Sequence, residues 1–348
     1  MPADARFLTR AYREGDETAI LDLFARAFPH APRRIEHFRW KYRENPFGNA
    51  RISLTFGDPV TQSPGLPATG EPGDRATGQP LLAHYAGYAV PFRAFGRDLL
   101  AHQIGDTMTD VLIRHVGRGP TSILGRTALH FYENFCDGQV AFNYGFNVSN
   151  IHKFSLRFLR ADRVEAVTYR IAKPPLPISR WQRRLGGYQL ELVNDVDEEW
   201  DAFFERVEND YRFLVRRNAR YVRWRYLDAP DTRYSLVTIR KWRRLIGWIA
   251  FRVEGDRFLW GDALFDRRFP GAVEVMLRHV VPSHPVTRIE AWFPPRPAWF
   301  DEVLHDLGFE ARPEPQDLSV MCVPFSMPGA TAAMREALYY SWGDSDLF

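Results

Sequence analysis

A chain of 348 residues, 45% apolar and 26% charged, has an ordinary globular make-up and exceeds the size at which one core usually stops growing, so two domains are expected. Its formal charge of +3 comes from arginines scattered along the chain, which inclines it slightly toward anionic ligands without marking a nucleic-acid binder. Two cysteines, Cys136 and Cys322, exclude a disulfide framework, and no run approaches the roughly 20 apolar residues of a membrane helix. With no basic, apolar leader in "MPADARFLTR", a reducing cytoplasm is the expected compartment.

In chain order, "DETAILDLFARAF" (16–28) spaces its apolar residues for a helix with an acidic start. The decapeptide "HFRWKYRENP" (37–46) follows, then the strand-like runs "ARISLTF", "LLAHYAGYAVPF" and "LLAHQIGDTMTDVLI". A helical segment comes next, with Leu124, Ala128, Phe131 and Phe135 on its buried face. The strand "VAFNYGF" and the helix "SNIHKFSLRFL" close the first half. The second half repeats the order: helix "DEEWDAFFERV", decapeptide "YVRWRYLDAP" (221–230), strands "RYSLVTIRKW", "RLIGWIAFRV" and "RFLWGDALF", a helix, strand "VTRIEAWF" and helix "AWFDEVLHDLGF". Asp16 to Asp197 spans 181 positions and Trp40 to Trp224 spans 184, so the chain reads as an internal duplication.

The domains are accordingly 1–172 and 188–325, with a linker at 173–187 and a tail at 326–348. The first copy is longer mainly through 57–80, where ten of 24 residues are Gly or Pro; this predicts a mobile hairpin loop or disordered insertion. In each decapeptide Trp sits between basic residues, a pattern that suits a single-stranded nucleic-acid groove. Recurrence at one place in two copies favours a fold element instead. Its aromatic residues would pack inward while the basic groups stay solvated.

"DVLIRHVGRGPTSILGRTALHFYENF" holds the phosphate-binding candidate: Arg114, Gly117 and Gly119 form R-x-x-G-x-G between a strand-like run and a helix. Glycines let the backbone approach a ligand, and a helix N-terminus offers unpaired N–H groups to an anion. The alternative is a tight strand-to-helix turn. The second copy keeps Arg268 and Gly271 but has Val273 at the second glycine's place, so one copy reads as competent and the other as degenerate.

Over nearly its whole length the chain resembles the GNAT superfamily of acyl-CoA-dependent N-acyltransferases, in its bacterial two-domain form. "RHVGRG" matches the pyrophosphate motif, "AFNYGFNVSN" is similar to the fifth strand and fourth helix, and "VLHDLGF" to that helix's ending; "LRFLRAD" in the first copy departs from it. The resemblance implies an α/β fold of two domains, each a mixed, mainly antiparallel sheet flanked by helices. It implies acetyl-CoA or another acyl-CoA as co-substrate, with Val111, Leu112, Arg114, Val116, Gly117, Arg118, Gly119 and Thr121 around the pyrophosphate and pantetheine, and Asn147 and Asn150 on the pantetheine amides or capping the helix. A small-molecule or peptide amine would be the acceptor, with nucleic acid disfavoured.

Direct attack by the amine needs a base and can use an acid. Asp106 and Asp110, four apart on the fourth strand and so on one face, are the base candidates, each with a strand-end or turn role as the alternative. His152 is the nearest substitute for the family's helical acid, with a surface or hydrogen-bonded helical histidine as the alternative, and Tyr144 either faces the thiolate or packs in the core. The tail "YYSWGDSDLF" is either a disordered acidic end or folds back to bring Asp344, Asp346 or the last carboxylate to the cleft. The histidine spacing matches no metal motif, so no metal is expected. Two rival functions share the duplicated fold: a transferase using aminoacyl-tRNA, and a non-catalytic scaffold.

Overall fold

The computed structural model describes residues 7–31, 33–57, 78–113, 116–180 and 186–348, apart from the side chains of 149 and 150. The first half forms β1 (Phe7–Ala11), α1 (Glu17–Ala27), a short α2 (Ile35–Phe38), β2 (Arg51–Gly57), β3 (Leu81–Ala94), β4 (Arg97–Thr109), α3 (Ile123–Phe135), β5 (Phe142–Asn147), α4 (Ser149–Phe158), β6 (Asp162–Ala166) and β7 (Thr168–Ala172). The second forms β8 (Tyr188–Val193), α5 (Glu198–Tyr211), β9 (Phe213–Val215), α6 (Ala219–Val222), β10 (Ser235–Lys241), β11 (Arg244–Glu254), β12 (Arg257–Phe265), α7 (Gly271–Val280), β13 (Arg288–Trp292), α8 (Ala298–Asp306), β14 (Glu310–Pro313), β15 (Ser319–Pro324) and α9 (Ala330–Ala337).

Apolar spacing sets the helices. Ile20, Leu23 and Phe24 bury one face of α1, and Trp200, Phe203, Phe204, Val207 and Tyr211 bury one face of α5. The Asp197 carboxylate caps α5 by accepting from Glu199 N–H at 3.0 Å. In each half one parallel strand pair, β4 with β5 and β12 with β13, lies among antiparallel neighbours.

The sheets do not respect the halves. The first runs β1-β2-β3-β4-β5-β15-β6, with β9 added to β3, and the second runs β14-β7-β13-β12-β11-β10-β8. Only Val167 separates β6 from β7, yet β7 crosses over to pair with β13 and β14, while β15 returns to pair with β5 and β6. The boundaries expected at 172 and 188–325 therefore cut through both sheets. A five- or six-residue strand forms the same ladder in either sheet, so nothing local in "TYRIA" or "SVMCVP" specifies the crossing. Most of the 57–80 insertion lies outside the described residues. Within the expected linker, Leu176 and Ser179 are buried, and Ser179 donates to Glu274 of α7.

Each decapeptide forms one short helix that widens into a π-helical turn, at Arg39–Arg43 and Arg223–Leu227. The Trp40 and Trp224 rings stack at 5.2 Å and 20°, and each indole N–H donates to the other's carbonyl, at 2.7 and 3.0 Å. The two copies thus meet about a pseudo-two-fold axis through these rings. A helical turn does not segregate alternate residues onto two faces. Lys41 and Arg225 are therefore buried, against the expected solvation of the basic groups, while Arg39 stays exposed. Replacing Trp40 by Phe keeps a ring in the stack but leaves the Trp224 carbonyl without its donor; chemical denaturation should show a loss of about 1 kcal/mol.

Candidate active site

β4 and β5 pair only at Ala101–Phe142, His102–Asn143 and Gln103–Tyr144, and then part. On its other edge β4 carries one extra residue, because His84 faces Met108 and Ala86 faces Gly105. Asp106, at φ 49°, takes up the resulting bulge, and its carbonyl lies 2.8 Å from His84 Nδ1. Past the bulge, the edge of β4 lines a groove.

The outer part of this groove is a cavity of about 590 Å³ running from Thr107, Met108 and Thr109 to Val116, Gly117, Gly119 and Ser122. Gly117 and Gly119 sit at φ 75° and 58°; a Cβ on the first would lie 2.5 Å from Thr121 O, and on the second 2.6 Å from the Phe158 ring. Ser122 caps α3 by accepting from Gly125 N–H, and Ile123 and Leu124 of the first turn also line the cavity. The positive end of α3 therefore opens onto the glycine loop, an arrangement that favours an anion. An inner cavity of about 230 Å³ continues from the outer one, sharing Phe28, Thr107, Leu124, Val148, Ile151 and Phe154 with it. It passes Asp106, Tyr144 and Asn147 and reaches Asp346 and Leu347 of the tail.

Of the residues expected at the ligand, Val116, Gly117, Gly119, Tyr144, Asn147 and Asp106 line these cavities. Arg118 and Thr121 are exposed on the flank of the loop, where Thr121 Oγ1 donates to Arg118 O. Val111 and Leu112 are 46% and 58% exposed and line neither cavity. The strand stops at Thr109, and Asp110 turns the chain by accepting from Leu112 N–H at 2.9 Å. Arg114 and the Asn150 side chain lie outside the described residues. Asn147 Nδ2 donates to Ser155 of α4.

Asp106 and Asp110 do not share a face, because the bulge breaks the two-residue alternation between them. Asp110 pairs instead with Arg26 at 3.0 Å. Asp106 accepts from Lys41 Nζ and from the Tyr42 hydroxyl, both at 2.8 Å. Burial alone would raise the Asp106 carboxyl, but Lys41 and then Arg33 outweigh it and hold it well below the usual carboxylate range. That makes Asp106 an anchored anion and a weak base. His152 lines neither cavity, although Ile151 and Phe154 on the same helix do; burial and then Arg163 lower its pKa. Tyr144 donates to Asp344 O at 3.4 Å, and burial pushes its hydroxyl well above the ordinary value, so it stays an O–H donor.

The tail supplies what sequence reasoning left open. Asp346 lies 3.4 Å from Lys41 Nζ and lines both the inner cavity and a smaller one of about 50 Å³ between the copies, beside Arg33, His37, Trp40 and Tyr234. The Gln103 amide, turned with its nitrogen toward Asp344 O at 2.8 Å, accepts from Asp346 N–H at 3.0 Å. Arg225, the counterpart of Lys41, donates to the carbonyls of Gly343, Ser345 and Phe348. A signal for this was present: "GDTMTD" (105–110) and "GDALFD" (261–266) repeat G-D-x-x-x-D at equivalent places. In the second copy Tyr226 donates to Asp262 at 2.7 Å, as Tyr42 does to Asp106. The tail crosses both glycines. A Cβ on Gly105 would meet Asp346 at 2.5 Å, and one on Gly261 would meet the Phe348 ring at 1.8 Å. Val273 is fully buried in α7, so the second copy carries a side chain where the first has the glycine loop.

At the sequence level no protein-family model matches the chain, and no curated protein matches it. Solved structures do. A probable N-acyltransferase from Enterococcus faecalis is 11% identical with a TM-score of 0.64, over 92% of this chain and 73% of that one. A tandem GNAT protein from the clavulanic acid biosynthesis pathway is 16% identical with a TM-score of 0.53, over 91% of this chain and 97% of that one. The chain has the tandem GNAT fold. Saccharomyces cerevisiae N-myristoyltransferase, solved with bound myristoyl-CoA, is similar over 93% of this chain and 84% of its own, at 8% identity and a TM-score of 0.53. Within this GNAT fold, no described helix is long and apolar enough to cross a membrane, and no described group of three or more His, Cys, Asp or Glu is gathered as for a metal.

Proposed function

We propose that the chain transfers an acyl group from an acyl-CoA to a primary amine. The observation that carries this is one continuous groove, from the glycine loop at the α3 N-terminus, along the parted edges of β4 and β5, to the Asp346 carboxylate. The pyrophosphate would rest on Val116–Gly119 and the first turn of α3, and the pantetheine along β4 beyond the bulge, where a main-chain N–H polarises the thioester carbonyl. The amine enters from the cavity between the copies, which also contains Asp346. Its nitrogen attacks the carbonyl carbon, the ammonium proton passes to Asp346 directly or through water, and the C–S bond breaks as the amide forms. Tyr144 donates a hydrogen bond to the departing thiolate. A probable N-acyltransferase and an N-myristoyltransferase solved with myristoyl-CoA, both of similar fold, support the donor class; both decapeptide indoles stack on each other, which favours this reading over one that uses them to bind tRNA.

A thermal-shift titration with CoA and acetyl-CoA tests it. At about 100 times the dissociation constant the ligand stabilises by roughly 2.7 kcal/mol, a shift of a few degrees. Thr107, which lines both parts of the groove, is the place to block it. Thr107→Trp should melt near wild type without ligand and shift little with it. If wild type fails to shift with any CoA compound, the proposal is wrong.

A further inference from the structure

The inner cavity is larger than an acetyl group requires, and its shape indicates what fills it. Beyond the passage at Asp106 and Tyr144 it extends to the α3–α4 side of the first sheet, walled by Tyr85, Ile104, Tyr132, Leu159, Met321 and Val323. The Tyr85 and Tyr132 hydroxyls lie 3.2 Å apart and satisfy each other, which leaves their rings as apolar wall. Gly145 stands opposite Met321 across the β5–β15 ladder and lies over the gap in the sheet. A Cβ there would sit 3.3 Å from Ile104 O, so the glycine keeps the passage between β4 and β5 open. Exchange of β15 into this sheet brings Met321 and Val323 to the wall, so the second half of the chain shapes a cavity in the first.

We propose, building on the acyl-CoA reading above, that the acyl group carried by the donor is a medium-length chain of about six to eight carbons, scaled from the roughly 150 Å³ in which a dry apolar cavity binds benzene. The chain runs inward from the thioester to Tyr85 and Tyr132. The carbonyl carbon stays at the passage, open to the amine from the opposite side, where Asp346 lies. An acetyl group would leave most of the apolar wall without contact, whereas each added methylene removes further apolar surface from water.

Calorimetric titration of the full chain, without amine, with CoA and its acetyl, butanoyl, hexanoyl, octanoyl and dodecanoyl thioesters decides the matter. Affinity should rise roughly fourfold per methylene up to about eight carbons and then level or fall. Ala161, a small residue on the cavity wall, offers a filling variant, and Leu159 an enlarging one. Ala161→Leu should move the break to shorter chains and Leu159→Ala to longer ones, so either variant alone suffices if the other folds poorly. Tight CoA binding with no dependence on chain length would overturn this inference and leave the donor site standing. So would a steady rise that neither variant moves, which would mark adsorption of apolar tails elsewhere. No binding of CoA or any thioester would remove the donor reading and this one together.

Discussion

Acidification from pH 6 to pH 4 should lower the free energy of unfolding by about 3 kcal/mol per pH unit. Three histidines are held neutral inside the fold. Burial, and then Lys41, pushes His37 down to about 4; burial, partly offset by Asp106, takes His84 to about 4; burial and then Arg51 takes His102 to about 3. Their ordinary value is near 6.5, so below it the unfolded chain takes up three protons that the native state refuses until about pH 4. Stability is therefore lost as pH falls through this window. Asp344 works the other way. Burial, and then Asp262 against the pull of Arg217, raises it to about 6, so the native state gains one proton that the unfolded chain takes only near pH 4. Across these four groups the net difference is two protons, at about 1.4 kcal/mol each per pH unit. Over two units the loss is comparable with the whole stability of a typical domain. Urea denaturation at pH 7, 6, 5 and 4 reads this slope directly. His102→Gln should halve it, and a flat profile in wild type would show that the three imidazoles are not held neutral.

The second large effect is at Arg217. Its guanidinium is fully buried and donates to Asp262 at 2.9 and 3.1 Å and to Asp344 at 2.5 Å, over the face of Tyr339. One cation serves two buried carboxylates. Arg217→Met leaves both without it, and the expected cost is about 3–5 kcal/mol, measured by denaturant midpoint. Adding Asp262→Asn and Asp344→Asn to the same chain should recover most of that loss, since neutral amides tolerate the site. Recovery is the informative part, because simple loss of packing would persist in the triple variant. The same bond anchors the tail two residues before Asp346, so weakened Arg217 contacts should also reduce turnover.

What the sequence made legible was local or repeated. The duplication could be read because two decapeptides and two helix starts recur at nearly one offset, and the glycine loop because left-handed backbone at 117 and 119 demands those residues. Three features were hidden for physical reasons. Lys41 reads as a solvated charge until Asp106 and Asp346, distant in sequence, are brought to it. The bulge at Asp106 turns on a single extra residue, which no alternation pattern announces. "WGDSDLF" looks like an acidic end, yet the tail carbonyls accept from Arg225 and Tyr234, and Asp344 and Phe348 are buried.

The exchanged strands also set a timetable for synthesis. When residue 172 has been made, β5 has no partner for its outer edge, because that partner is residues 319–324. About 150 further residues must be added first, which takes on the order of 8–30 s at roughly 5–20 residues per second. During that interval the nascent first half carries an open, apolar strand edge of the kind that recruits other chains. Neither sheet can close before the other is nearly complete. The two copies should therefore complete their folding together, once residues 319–324 are available, and melt in a single transition, and a gene fragment encoding either copy alone should yield aggregate.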